Sequence, residues 1–189
     1  ELQREGKSII SLSAGEPDFP TPSFICDAAV EAIRNGAHGY TMNTGTPELR
    51  EAICAKLKRD NGLDYNLAQI ICSNGAKQSV GFSLLAMVNP GDEVIIPAPY
   101  WVSYPAMTQL AQGIPVPVRT SFEHNFRLTP EQLEEAITDK TRVLILCSPS
   151  NPTGSCYSKQ DLEGLAEVLR RYPNICLLYT SDAADDDAC

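Results

Sequence analysis

The amino-acid sequence predicts an α/β fold: a mostly parallel sheet with helices on both faces, plus an N-terminal part of a smaller domain. Three observations predict it. From Gln69 onward, strand and helix signals alternate, strand first, through four rounds. The strand signals are short, continuous and apolar, as in VLILC at Val143–Cys147, which marks strands covered on both faces. Before Gln69 the chain carries fewer strand signals and more loop, so it does not extend the same pattern.

The elements follow in order. Thr21-Pro22-Ser23 precedes a helical stretch to Asn35, closed by Gly36. Thr46 is placed to cap a helix with Pro47 in its first position, Leu49, Ile53 and Leu57 on one face, and Gly62 at its end. Gln69–Ser73 reads as a short strand, and Asn74-Gly75-Ala76 turns it into a helix from Lys77 to about Val88. After the turn Asn89-Pro90-Gly91-Asp92 come a strand at Glu93–Pro97, a helix over Val102–Gln112 and a strand at Ile114–Val118. Thr129-Pro130-Glu131 starts a helix with Leu133, Ala136 and Ile137 on one face; Val143–Cys147 is the next strand. Ser158 caps a helix to about Arg171, with Leu162, Leu165, Ala166 and Leu169 at helical spacing.

Composition narrows the function classes. At 189 residues and 43% hydrophobic, the chain can bury the core of one domain or of one and a part. No apolar run approaches the roughly 20 residues of a membrane-spanning helix. No signal peptide is visible, and a start at Glu1 leads us to expect a piece of a longer protein. The seven cysteines form no C-x-x-C pair and His38 and His124 do not cluster, which argues against a zinc site. Free cysteines in apolar runs, as at Cys72 and Cys147, suit a reducing compartment such as a cytoplasm or a plastid stroma. A net charge of −9 argues against nucleic acid as a partner. The ending CLLYTSDAADDDAC collapses to Asp and Ala and looks like the translation of a sequencing-adapter oligonucleotide. Residues 176–189 are therefore read as a non-native tail, a genuine acidic tail being the other reading.

Four motifs could carry chemistry. No G-x-x-x-x-G-K-[ST] or G-x-G-x-x-G is present, so the P-loop and dinucleotide-binding readings fail. In IICSNGAKQSV, the small residues Gly75 and Ala76 let an anion approach a helix N-terminus, where free N–H groups and the helix dipole favour it. In PAPYWVSYP, Trp101, the one tryptophan of the chain, follows a strand end and can stack on a planar ligand. In SAGEPDFPTP, Gly15 sits in a stiff, irregular stretch between prolines. In CSPSNPTG, Asn151 is held by Pro152 and can donate a hydrogen bond to an oxygen. Each motif alone also reads as a plain turn, or, for Trp101, as packing at a domain seam. Together they place an anion cradle, a flat surface and an amide donor on one edge of a parallel sheet, where ligands bind. Pyridoxal 5′-phosphate, a flat ring with a phosphate and an oxygen substituent, satisfies all three.

At this point the sequence resembles a known family. SAGEPDFPTP, GYTMNTGTPELREAI, NGAKQ, NPGDEVIIPAPYWVSYP and CSPSNPTG occur in the order seen in class I (fold type I) pyridoxal-phosphate-dependent aminotransferases, on the branch of the aspartate and aspartate/prephenate enzymes. The resemblance spans about residues 1–175. It implies that residues 1–45 contribute to the small domain and the active-site mouth, and that 46–175 form part of the cofactor-binding large domain. It implies amino transfer between aspartate or glutamate and a 2-oxo acid (oxaloacetate, 2-oxoglutarate or prephenate) in a homodimer.

The residue roles implied by the resemblance are these. Gly15 meets the substrate carboxylate through its backbone. Tyr40 reaches the cofactor phosphate of a neighbouring subunit. Gly75, Ala76 and Lys77 form the phosphate turn, with Ala76 where relatives often carry glycine. Lys77 also serves the substrate's distal carboxylate in prephenate-using relatives. Trp101 stacks on the pyridine ring, and Asn151 bonds the ring oxygen beside the substrate carboxylate. Pro99 and Pro152 match positions that are often cis. The Schiff-base lysine, the aspartate for the pyridine nitrogen and the carboxylate-clamping arginine would lie downstream, so this chain alone is expected to be inactive. Asp182 follows Ser181 much as that aspartate would, but comes late and is not assigned the role. The competing readings are a non-enzymatic regulatory domain of the same fold and a lyase or decarboxylase of fold type I.

Overall fold

The computed structural model describes residues 2, 4–10 and 19–181. The chain divides into two compact units, Glu1–Tyr40 and Thr41–Cys189. The first unit holds helix α1 (Ser23–Arg34). The N–H of Asn35 closes it by donating to the Glu31 carbonyl (2.9 Å), and Gly36, at φ 83°, donates to the Ile33 carbonyl (3.1 Å). None of the residues of α1 is buried.

The second unit carries helices α2 (Pro47–Asn61), α3 (Gly75–Met87), α4 (Ser103–Leu110), α5 (Pro130–Ala136) and α6 (Lys159–Arg170). Its strands are β1 (Glu93–Ala98), β2 (Ile114–Arg119), β3 (Thr141–Cys147) and β4 (Cys176–Thr180). The helix starts follow capping chemistry. Thr46 accepts from the Leu49 N–H, with Pro47 in the first turn and Gly62 left-handed at the end of α2. Thr129 with Gln132 and Ser158 with Asp161 form reciprocal capping boxes at α5 and α6.

All strand pairs are parallel, in the order β2-β1-β3-β4. The alternating residues of the two central strands separate into two cores. Val94 and Ile96 of β1 and Val143 and Ile145 of β3 pack against Val80 and Leu84 of α3 and Tyr104 of α4. Ile95, Leu144 and Leu146 face the other way, onto Leu128, Leu133 of α5, and Leu165 and Val168 of α6. Helices on both faces thus cover a sheet whose middle strands carry unbroken apolar runs, Val94–Ala98 and Val143–Cys147, as expected. Burying each such aliphatic side chain stabilises the fold by about 1.5–3 kcal/mol.

The strand order fixes where a ligand can bind. The chain passes from β1 outward to β2, then crosses back over β1 to β3 and on to β4. The direction of winding therefore reverses between β1 and β3. At such a reversal the loops leaving the two strands diverge and open a crevice beyond their C-terminal ends.

Four expectations are corrected. Gln69–Ser73 is not a strand: Leu67–Gln69 forms a 3₁₀ turn capped by Asn66, and the residues after it are extended without a ladder partner among the described residues. Their backbone is held by the Arg50 side chain, whose Nε donates to the Ile70 carbonyl (3.1 Å) and whose Nη2 donates to the Leu67 carbonyl, and by Cys72 N–H to the Thr44 carbonyl (3.0 Å). The helix expected from Lys77 begins at Gly75. The helix expected over Val102–Gln112 is shorter, because Gln112 takes a positive φ of 62° and Gly113 then packs with no room for a side chain, an added Cβ falling 2.6 Å from Val88. Cys176–Thr180 is not outside the fold: it pairs along β3 from Val143↔Cys176 to Cys147↔Thr180. Among the described residues all cysteines are free thiols, and no helix is long and apolar enough to cross a membrane.

Candidate active site

The site is built on the loops that leave β1 and β3 and on the start of α3. Beyond β1 the chain passes through a cis Ala98-Pro99 bond to Tyr100 and Trp101 and then turns into α4. The Trp101 carbonyl accepts the Tyr104 N–H (3.0 Å), so the indole hangs from the first turn of that helix. Its ring meets that of Tyr104 edge-on, at 5.4 Å between centroids and 89° between planes. The Lys77 ammonium sits over the indole, 5.2 Å from its centroid. Across the sheet, the Tyr104 hydroxyl and the Thr180 hydroxyl are hydrogen-bonded at 2.9 Å.

The loop beyond β3 contains two further cis bonds, Ser148-Pro149 and Asn151-Pro152. It folds on itself: Gly154 N–H donates to the Ser150 carbonyl (2.7 Å) and Ser150 N–H to the Ser155 carbonyl (3.0 Å). Ser148 ties it outward in three directions. Its N–H donates to the Thr180 carbonyl (2.9 Å), its hydroxyl accepts from the Tyr157 N–H (3.1 Å), and its carbonyl accepts from the Tyr179 hydroxyl (3.0 Å). Tyr157 ends the loop with its hydroxyl accepting the buried Leu128 N–H (2.8 Å). Burial pushes the Tyr157 phenol above its ordinary pKa, partly offset by that N–H. Nearby, burial works to raise the Asp161 carboxyl, but hydrogen bonds from Ser158 and the Arg127 guanidinium outweigh it and hold the group low.

At the start of α3, Gly75 takes a φ of 79°, a left-handed conformation natural only to glycine. The Asn74 side chain makes no capping hydrogen bond to the first turn. The Gly75 N–H donates to the Ser73 carbonyl (2.9 Å), and the N–H groups that follow it, with the positive end of the helix dipole, are presented to an anion.

Ala76, Trp101, Tyr104, Cys147, Asn151 and Thr180 line one cavity of about 220 Å³ at this edge. A smaller cavity of about 20 Å³ adjoins it, shares Tyr104, Cys147 and Asn151, and adds Pro99 and Tyr157. The larger one lies below the ~300 Å³ at which small-molecule pockets usually begin, which suits one substituted ring rather than an extended ligand. Of the residues singled out from sequence, the structure brings Ala76, Trp101 and Asn151 together, with Gly75 next to Ala76 in the chain. Lys77 does not line this cavity; it stands over the indole and borders a separate groove between α3 and α4. Tyr40 ends the N-terminal unit, fully exposed. Gly15 and Asp182 lie outside the described residues.

Tyr104, Cys147, Thr180 and Tyr157 were not anticipated. For Tyr104 a signal existed: it stands three residues after Trp101 at a helix start, and such pairs meet. For Thr180 and Tyr157 none did, because their partners lie 76 and 29 residues away.

A doubly wound parallel sheet whose switch-point cavity is bordered by a helix start, an indole and a carboxamide places the chain among the α/β proteins that take ligands at that edge. Comparison with known proteins makes this specific. The family model described as aminotransferase class I and II matches residues 7–181, and the chain belongs to that family. It is 53% identical over 181 residues to an aspartate/prephenate aminotransferase of Nitrosomonas europaea, covering 96% of this chain and 45% of that protein. It is 54% identical over 177 residues to a bifunctional aspartate aminotransferase and glutamate/aspartate-prephenate aminotransferase of Petunia hybrida, covering 94% and 37%. Among solved structures, an aspartate aminotransferase from Rhizobium meliloti superimposes with a TM-score of 0.91 at 49% identity, over 95% of this chain and 45% of the other. One from Thermus thermophilus with maleate gives 0.91 at 42% identity, over 95% and 47%. The chain thus spans less than half the length of each of these relatives. The family match runs through β4 to residue 181, beyond the end near 175 that the sequence pattern suggested.

Proposed function

We propose that this chain is the cofactor-holding part of a pyridoxal 5′-phosphate-dependent aminotransferase. The reaction moves an amino group between aspartate or glutamate and a 2-oxo acid, with oxaloacetate, 2-oxoglutarate and prephenate as acceptors. The observation that carries this reading is the meeting of the uncapped start of α3, the Trp101 indole and the Asn151 loop on one cavity. That donor set fits the cofactor: N–H groups for its phosphate, a flat face for its ring, an amide for its ring oxygen. The names of the relatives add the dicarboxylate donors and prephenate.

When bound, the cofactor supplies the electron sink that lets the substrate Cα–H bond break. The chain's own residues bind and orient. The first turn of α3, with Gly75 and Ala76, holds the phosphate; Trp101 fixes the ring plane; the Asn151 amide donates to the ring oxygen and borders the substrate carboxylate. Gly15 serves that carboxylate through its backbone. Lys77, over the indole, serves a distal carboxylate. Tyr40 reaches the phosphate of a second copy, so the working form is a homodimer, acting in a cytoplasm or a plastid stroma. Among the described residues no lysine lines the cavity, and on this proposal the chain binds the cofactor while turnover needs the remainder of a protein of the relatives' length.

Trp101 gives a direct assay, because it is the chain's one tryptophan. Titrating pyridoxal 5′-phosphate into the chain should quench its emission saturably. Asn151→Ala should weaken that binding by roughly 10- to 100-fold, the usual worth of a hydrogen bond to a charged group. Absence of saturable quenching, or an Asn151→Ala chain that binds as well as the parent, sinks the reading. Amino transfer from aspartate to 2-oxoglutarate and to prephenate, assayed on a protein of the relatives' full length containing this chain, then tests the substrates.

A further inference from the structure

We infer that Tyr104 is a positioning residue for the cofactor-stacking indole, and that its own ring is held in place by the Thr180 hydroxyl at the end of β4. The inference rests on the reading of Trp101 as the stacking surface. Trp101 is half-buried at the edge of the core cluster, so the plane of its ring depends on its specific neighbours. The element that does set it is Tyr104. Its backbone N–H bonds the Trp101 carbonyl (3.0 Å), and its ring stands perpendicular to the indole at 5.4 Å, the edge-to-face arrangement that aromatic quadrupoles favour. An indole that swings about its side-chain bonds would lose this contact.

Tyr104 can act as a fixed stop because it is itself held. It is 5% exposed, and its hydroxyl is hydrogen-bonded to that of Thr180 at 2.9 Å. Thr180 lies opposite Cys147 in the β3–β4 register, at the same sheet edge as Asn151. The Lys77 ammonium over the indole, 5.2 Å from its centroid, approaches from α3. The plane of Trp101 is thus set jointly by α3, α4 and β4. Both Tyr104 and Thr180 also line the cavity, so the bond between them forms part of its wall.

The test uses Tyr104→Phe, Thr180→Val and the double variant of the 189-residue chain, each checked for folding by far-UV circular dichroism. Tyr104→Leu, which removes the ring, is the harsher companion. Without cofactor, the near-UV circular dichroism and the fluorescence anisotropy of the single tryptophan report the freedom of the indole. Tyr104→Phe and Thr180→Val should each weaken the tryptophan near-UV bands and lower the anisotropy, and the double variant should be no worse than either, since both remove the same bond. Affinity for pyridoxal 5′-phosphate should fall by about 3- to 10-fold in these variants and further in Tyr104→Leu. Additive losses, or an indole signal unchanged in folded Tyr104→Phe and Tyr104→Leu chains, overturn the inference. If the parent chain fails to bind the cofactor, the proposed function fails, while the cofactor-free indole signal still decides the role of Tyr104.

Discussion

Replacing Tyr157 by Phe keeps the aromatic ring at the end of the Asn151 loop and removes one atom, the hydroxyl oxygen that accepts the Leu128 N–H at 2.8 Å. Leu128 is 2% exposed, so water cannot take that oxygen's place without opening the core around Leu133 and Leu165. An orphaned buried donor costs its desolvation, about 1–3 kcal/mol, rather than the smaller net worth of a hydrogen bond. For a chain of this size each kcal/mol lowers Tm by about 2–4 °C, so a fall of roughly 2–12 °C is expected in a thermal melt. The alkaline limb adds a second signature. Burial raises the phenol's pKa in the folded state, so its stabilising contribution is complete below the ordinary value near 10 and is lost as pH rises through the folded value. Tyr157→Phe should flatten that decline. A variant that melts with the parent, and declines with it above pH 10, would refute the claim that this phenol ties the loop to the core.

Two further outcomes are expected. Asp161→Asn removes the negative charge that accepts from the Ser158 N–H and hydroxyl and from Arg127; because the folded carboxyl is held below its ordinary value, its contribution is present above that value and is lost as pH falls through the folded one. Urea midpoints should therefore show a loss of about 1–3 kcal/mol at pH 7 that shrinks toward pH 3. Gly113→Ala places a methyl 2.6 Å from Val88 Cγ1 and 3.2 Å from the Asp92 carbonyl, which should cost about 1–3 kcal/mol by overpacking, and Val88→Ala in the same chain should recover part of it in the same measurement.

How much of this could be read from the sequence depended on the range of the interactions. Caps are local, so Thr46, Thr129 and Ser158 marked their helices correctly. Strands covered on both faces leave unbroken apolar runs, so β1 and β3 were legible, and with them the sheet edge that carries Trp101 and Asn151. A strand also needs a neighbour, which composition does not reveal. The apolar Ile70-Ile71-Cys72 finds no ladder among the described residues and is tethered by Arg50 instead, while CLLYT, set aside for its odd surroundings, finds one in β3. The aromatic wall of the site was hidden for a similar reason: the bonds of Tyr104 to Thr180 and of Tyr157 to Leu128 join positions that no local pattern connects.

The Arg50 tether has a dynamic consequence. The segment leading into α3 depends on three donors of one half-exposed guanidinium, to Thr44, Leu67 and Ile70, and on the Cys72 N–H bond to the Thr44 carbonyl, rather than on a shared ladder. Such a segment can detach and re-dock while β1 and β3 stay paired, so its amides would exchange with solvent through a sub-global opening that spares the central strands. An anion settling at Gly75 would oppose that opening and act as a clasp on a segment that has no ladder partner among the described residues.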